Sequence, residues 1–153
     1  MNPATSAGDS SPPLRILTVC LGNICRSPVA AAVLQHHGGS AVEVRSAGLR
    51  DKWAGNGAHP DMVAAAADRG YDLTGHRARQ VDQKLLAWAD IVVAMDAAVL
   101  TSLRTMADAD IVPKLRRFFD DRDVPDPFDK SAAEFAACVA LVEEGAAAHL
   151  PSR

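Results

Sequence analysis

Apolar residues in this chain come in short runs separated by alanine-rich stretches of helical period. Leu14 to Val19 is the first run, bounded by Pro12-Pro13 before it and by Gly22-Asn23 shortly after it, and it reads as a buried strand. Ser27-Pro28 suits a helix start, with Ser27 as cap and Pro28 in the first turn, and the helix reaches about His37 before Gly38-Gly39. Val42 to Arg45 alternates apolar and polar as a second strand does, and Ser46-Ala47-Gly48 reads as the turn that follows. Pro60 opens a helix that Gly70 ends, and residues 71–80 carry no clear period. Val81 to Trp88 predicts a short helix. Asp90 to Met95 predicts a third strand, apolar on both faces, with Asp96 at its carboxyl end. A helix over Ala97 to Met106 comes next, then a fourth strand at Ile111-Val112 and the residues after it, then a polar loop from Asp120 to Lys130. Ser131 and Glu134 form a capping-box pattern for the last helix, whose inward stripe is Phe135, Cys138, Val139 and Val142.

Strands alternating with helices predict an α/β fold of three layers, a four-stranded parallel twisted sheet with helices on both faces. In such sheets ligands sit beyond the carboxyl ends of the strands, where the loop after Cys20, Ser46 and Asp96 all fall. Residues 1–13 lack the apolar content to order themselves and read as a disordered tail, which leaves 14–153 as a single domain.

Composition narrows the function classes. A net charge of -3 with 23% charged residues points away from general affinity for nucleic acid or anionic membranes. No apolar run approaches the roughly 18 residues of a membrane span, so the expected setting is cytoplasmic, without a membrane or nucleic-acid partner. Three cysteines, two of them in one loop, make no disulfide framework and stay available as thiols in a reducing compartment.

The loop between the first strand and the first helix holds Cys20 and Arg26 with five residues between them. A short loop running into a helix can turn backbone N–H groups inward, and the helix adds about half a positive charge there. Arg26 can grip two oxygens of one phosphate, and the same donors stabilise a thiolate at Cys20. The phosphate-binding loop so defined is Leu21, Gly22, Asn23, Ile24, Cys25 and Arg26. The plain alternative, two small buried cysteines after a core strand, leaves Gly22, Asn23, Arg26 and the Ser27-Pro28 start unexplained. The sequence has no Gly-Lys-Ser/Thr of a nucleotide phosphate loop and no metal-ligand or calcium-loop spacing.

Cys20-Leu21-Gly22-Asn23-Ile24-Cys25-Arg26-Ser27 resembles the signature loop of the low-molecular-weight protein tyrosine phosphatases, and Asp126-Pro127-Phe128 resembles that family's acid motif. Ser46-Ala47-Gly48, the run from His76 to Gln80, and Met95-Asp96 match in order, so the resemblance covers about residues 14–150. It implies hydrolysis of phosphotyrosine through a phosphocysteine, with Cys20 as nucleophile, Arg26 as phosphate clamp and Asp126 as general acid and base, and with no cofactor or metal. It also implies a supporting network of Asn23, Ser27, Ser46 and His76, an aromatic wall of Trp53 and Phe128, and a redox role for Cys25 as partner of Cys20 in a protective disulfide. Phosphotyrosine-containing proteins are the implied partners. Asp129 stands where the family usually has a second aromatic. His36, His37, His59 and His149 read as surface or packing residues, Cys138 as core, and the other aspartates of the 120–130 loop as a solvated turn. A thioredoxin-coupled arsenate reductase of the same fold would need a relay cysteine soon after the third strand, and none occurs before Cys138. A catalytically silent phosphotyrosine-binding module would not need Cys20, Arg26 and Asp126 together.

Overall fold

Leu14–Cys20 forms strand β1 at the centre of the computed structural model, which describes residues 11–151. Most of the expected N-terminal tail lies outside the described residues. The other elements are helix α1 (Arg26–Gly38), strand β2 (Val42–Gly48), helices α2 (Pro60–Ala67) and α3 (Gln83–Trp88), strand β3 (Ile91–Ala94), helix α4 (Ala97–Met106), strand β4 (Leu115–Arg117) and helix α5 (Ala132–Gly145). All pairings are parallel and the strand order is β2-β1-β3-β4. The order reverses direction at β1 and β3, so the crevice between their carboxyl ends is the switch point where such sheets take ligands.

Alternation along β1 divides the core into two. Ile16 and Cys20 face the layer of α1, α2 and α5, whose core includes Val29, Val33, Phe135 and Val142. Leu17 and Val19 face α3 and α4, with Leu86, Val99 and Leu103. Thr18 is fully buried and donates its hydroxyl to the Ser27 carbonyl at 2.8 Å, which ties the strand to the first turn of α1. No helix among the described residues is long and apolar enough to cross a membrane.

Four expectations need correction. Ser46, Ala47 and Gly48 do not turn but extend β2, pairing with Thr18, Val19 and Cys20. The central strand supplies partners for their backbone, and that ladder outweighs the local turn preference of Ser and Gly. The fourth strand is Leu115–Arg117, because the Asp108 carboxylate and carbonyl hold the Ile111 N–H in a turn and Val112–Lys114 form a 3-10 turn around Pro113. Ile111 is buried as core without being strand. Ser27 is the second helical residue rather than the cap, and its hydroxyl is turned toward Cys20 and Asn23. Ser131 occupies the cap position of α5 without a side-chain bond, so the capping box does not close.

Candidate active site

β1 delivers Cys20 to the switch point and α1 begins six residues later, so the intervening loop must fold back on itself in a small space. Asn23 makes the reversal with φ of 60°, in the left-handed region that Asn tolerates better than most residues. Every polar group it has is then used. Its backbone N–H points at Cys20 Sγ (3.2 Å), Nδ2 donates to Ser27 Oγ (2.8 Å) and Ser46 Oγ (3.0 Å), and Oδ1 accepts from the Arg79 amide (2.9 Å). Its carbonyl accepts from His76 Nε2 at 2.7 Å. A fully buried side chain with all its bonds made fixes the loop far better than the same residue in solvent.

Two glycines allow the loop to pack as it does. A Cβ at Gly48 would lie 2.9 Å from the Asn23 nitrogen, and one at Gly22 would lie 2.8 Å from Trp53 Cδ1. Gly48 thus lets β2 approach the loop, while Gly22 lets the Trp53 indole lie on it. Leu49 and Arg50 donate their amides to the carbonyls of Cys20 (3.0 Å) and Leu21 (3.1 Å), extending the contact into the segment that carries Trp53.

Cys20 Sγ lies 3.0 Å from Ser27 Oγ, which accepts from Asn23 and has both the sulfur and the Ala47 carbonyl (3.3 Å) within reach of its one proton. Arg26 is buried, with Nη1 bonded to Asp96 Oδ2 at 2.6 Å and to the Val124 carbonyl at 3.0 Å. Its other terminal nitrogen is 3.8 Å from Asp126 Oδ2. Burial opposes its charge, but Cys20, Asp96 and Asp126 outweigh burial and hold the guanidinium above its ordinary range. Asp96 also caps α4, accepting the Val99 amide at 2.7 Å. Its pairing with Arg26 is the part of the site that sequence reasoning missed. An Asp ahead of a helix signals a cap, and nothing local says that its second oxygen meets an arginine 70 positions earlier.

Asp126 sits between Pro125 and Pro127 on a loop that the Val124 amide ties to the Met95 carbonyl at 2.9 Å, and its Oδ1 accepts from the Phe128 amide at 3.0 Å. Cys20, Leu21, Gly22, Ile24, Cys25, Arg26, Trp53, Asp126 and Phe128 line one cavity of about 150 Å³, together with Arg50 and Lys52. Trp53 and Phe128 touch each other, with ring centroids 5.9 Å apart and planes tilted by 51°, and His59 meets the Phe128 ring edge-on at 5.7 Å. The aromatics therefore form one continuous wall, not two sides of an open slot. Asp129 is exposed, with φ of 65°. Of the remaining aspartates, Asp123 is more than a solvated turn residue, since it holds both Arg117 (3.2 Å) and the Ala97 amide (2.9 Å).

All three cysteines are free and buried. Burial first, then Asp126 and Cys20, pushes the Cys25 thiol well up. His76 is shifted down, chiefly by burial and against its bond to Asn23, with Arg77 and Arg79 adding to the shift. Since a carbonyl can only accept, His76 Nε2 carries the proton, and the neutral ring suffices. No group of three His, Cys, Asp or Glu side chains among the described residues could hold a metal ion.

The family model for low molecular weight phosphotyrosine protein phosphatase matches residues 15–152. This chain belongs to that family. It is similar to the low molecular weight protein-tyrosine-phosphatase of Streptomyces coelicolor, with 41% identity covering 84% of this chain and 87% of the relative. It is also similar to Wzb of Escherichia coli K12, another low molecular weight protein-tyrosine-phosphatase, with 36% identity covering 86% and 89%. Among solved structures, Wzb of Vibrio vulnificus in complex with benzylphosphonate superposes with a TM-score of 0.83 at 29% identity, over 89% of this chain and 96% of that one. Family membership covers the four-stranded parallel sheet as well as the loop that follows its first strand.

Proposed function

We propose that this chain is a protein tyrosine phosphatase that hydrolyses aryl phosphate monoesters, phosphotyrosine in proteins above all, through a phosphocysteine on Cys20. The observation that carries the reading is the convergence of Cys20 Sγ, the buried Arg26 guanidinium and the Asp126 carboxyl on one small cavity. In the first step Cys20 sulfur attacks phosphorus in line with the phenolic oxygen, so that an S–P bond forms as the P–O bond breaks. Asp126 gives its proton to the departing phenolate. The loop amides and Arg26 hold the three remaining phosphoryl oxygens, whose charge dominates a loose transition state. In the second step water attacks phosphorus, Asp126 takes its proton, and the S–P bond breaks to return the thiolate and inorganic phosphate.

Asn23, Ser27, Ser46 and His76 act through the loop, keeping its amides aimed and giving Cys20 a hydroxyl partner. Trp53 and Phe128 offer apolar surface to a phenyl ring, and the Vibrio vulnificus relative forms a complex with benzylphosphonate, a ligand that carries such a ring. Three free thiols fit work in the reducing cytoplasm.

The test is hydrolysis of para-nitrophenyl phosphate and of a phosphotyrosine peptide by wild type, Cys20→Ser and Asp126→Asn. Cys20→Ser is expected to be inactive on both. Asp126→Asn should lose about 10²- to 10⁴-fold in kcat on the peptide, whose leaving group needs the proton, and less on nitrophenyl phosphate, whose phenol leaves more easily. Turnover retained by Cys20→Ser would sink the mechanism.

A further inference from the structure

Arg50, Lys52, Arg77 and Arg79 are four cations that the mechanism does not use. Arg50 and Lys52 line the cavity itself. Arg77 and Arg79 belong to the neighbouring segment, which is laced to the Trp53 loop by bonds from Gly55 to the Ala78 carbonyl (2.8 Å) and from Ala78 to the Asn56 carbonyl (2.8 Å). None of the four pairs with a carboxylate among the described residues, whereas Arg26, Arg45, Arg69, Arg117 and Arg122 all do. Asp51, between Arg50 and Lys52, does not line the cavity. Asp126 lines the same cavity, and Asp129 is exposed. A protein of net charge -3 therefore places two cations, Arg50 and Lys52, that pair with no carboxylate among the described residues, on the lining of its phosphate pocket.

Arg50 is anchored through its backbone and Lys52 through its ammonium. The Arg50 amide is bonded to the Leu21 carbonyl at 3.1 Å, which anchors that residue to the phosphate-binding loop. Lys52 Nζ lies 5.0 Å from the centre of the Trp53 ring, a cation–π contact that keeps the ammonium beside the aromatic wall. A phosphotyrosine with its phosphate on the loop and its ring at Trp53 would bring the adjacent residues of its peptide past these two groups. We propose that Arg50 and Lys52 form a subsite for an acidic side chain next to the phosphotyrosine, making an acidic peptide flank the preferred substrate class. The inference rests on the phosphotyrosine reading above. Charges at such a rim contribute modestly to binding but discriminate between partners of opposite sign.

The experiment compares kcat/KM for three phosphotyrosine peptides whose residues on both sides of the phosphotyrosine are Glu, Gln or Lys, using wild type and the Arg50→Gln/Lys52→Gln double variant, with para-nitrophenyl phosphate as the substrate without a flank. Wild type should favour the Glu over the Gln peptide by about five- to tenfold at low salt, with the Lys peptide poorest, and the preference should shrink at high salt. In the double variant the Glu-to-Gln ratio should fall close to one, and Arg50→Glu/Lys52→Glu should invert it in favour of Lys. A wild-type ratio near one, or a ratio that the double variant keeps, overturns the subsite. A loss that is equal for all three peptides also overturns it, because it assigns the cations to general attraction of the phosphate. No hydrolysis of para-nitrophenyl phosphate by wild type would overturn the phosphatase reading and the subsite together, whereas intact hydrolysis with a flat peptide series removes the subsite alone.

Discussion

Asp96 does two things with two oxygens, and substitution can separate them. Oδ1 caps α4 while Oδ2 holds Arg26. Asparagine caps a helix about as well as aspartate, so Asp96→Asn keeps the cap and removes the charge that orients the guanidinium. The expected result is kcat/KM lower by about 10²-fold, the scale on which small misplacements in a site cost rate, with the thermal midpoint little changed. Asp96→Ala should lose about 1 kcal/mol of stability as well. Equal activity in Asp96→Asn and wild type would show that Val124 and the helix alone position Arg26. Cys25 gives a second prediction at this scale. Its thiol is driven up by burial and by Asp126, so it stays protonated near neutrality and Cys20 is the first target of peroxide. Once Cys20 is a sulfenic acid, Cys25 sulfur, giving up its proton to the departing hydroxyl, can displace water from it to give a disulfide. Wild type should then recover activity on thiol reduction, while Cys25→Ser should not. Mass spectrometry finding sulfinic acid at Cys20 in wild type, with no Cys20-Cys25 bridge, would rule out this protection.

At the scale of elements, the carboxyl end of β2 limits the loop most tightly. Gly48 stands where β2 meets the loop between β1 and α1, and its would-be Cβ meets backbone atoms of Gly22 and Asn23 at 2.9 Å, which cannot swing away as a flexible side chain could. Gly48→Ala is therefore expected to displace the loop. The predicted cost is about 1–3 kcal/mol of stability in urea unfolding, together with a loss of activity larger than that destabilisation explains. Activity at the wild-type level in a destabilised Gly48→Ala would show that the loop does not depend on this contact. The same three residues, Ser46 to Gly48, show where local reading stops. Their turn-forming character is plain in the sequence, but the central strand that pairs with them is not.

For the whole molecule, one buried and one half-buried histidine set the response to acid. His149 is 5% exposed, its Nε2 donates to the Phe118 carbonyl at 2.8 Å, and its Nδ1 has no partner. Burial pushes its pKa down, opposed by the Phe118 bond; Arg116 lowers it further and Asp120 raises it. His76 is shifted the same way, with burial again the main cause. Both folded values lie below the unfolded value near 6.5, so the unfolded chain binds more protons in that window and stability must fall as pH drops through about 6.5. Urea midpoints should therefore decline from pH 7.5 to 5, ahead of any carboxylate titration, and His149→Gln, which can still donate to Phe118, should flatten the decline. A flat wild-type profile would contradict the burial of neutral imidazole. By itself the sequence determined the alternation of strands and helices, the loop from Cys20 to Arg26 and the Asp-Pro-Phe segment at Asp126, because each depends on neighbours within about ten residues. It could not show that Asp96 and Val124 clamp Arg26, that Asn23 joins Ser46, His76 and Arg79 around one reversal, or that Arg50 and Lys52 face the cavity. Those contacts join residues 20 to 100 positions apart, and only the closing of the sheet brings them within bonding distance.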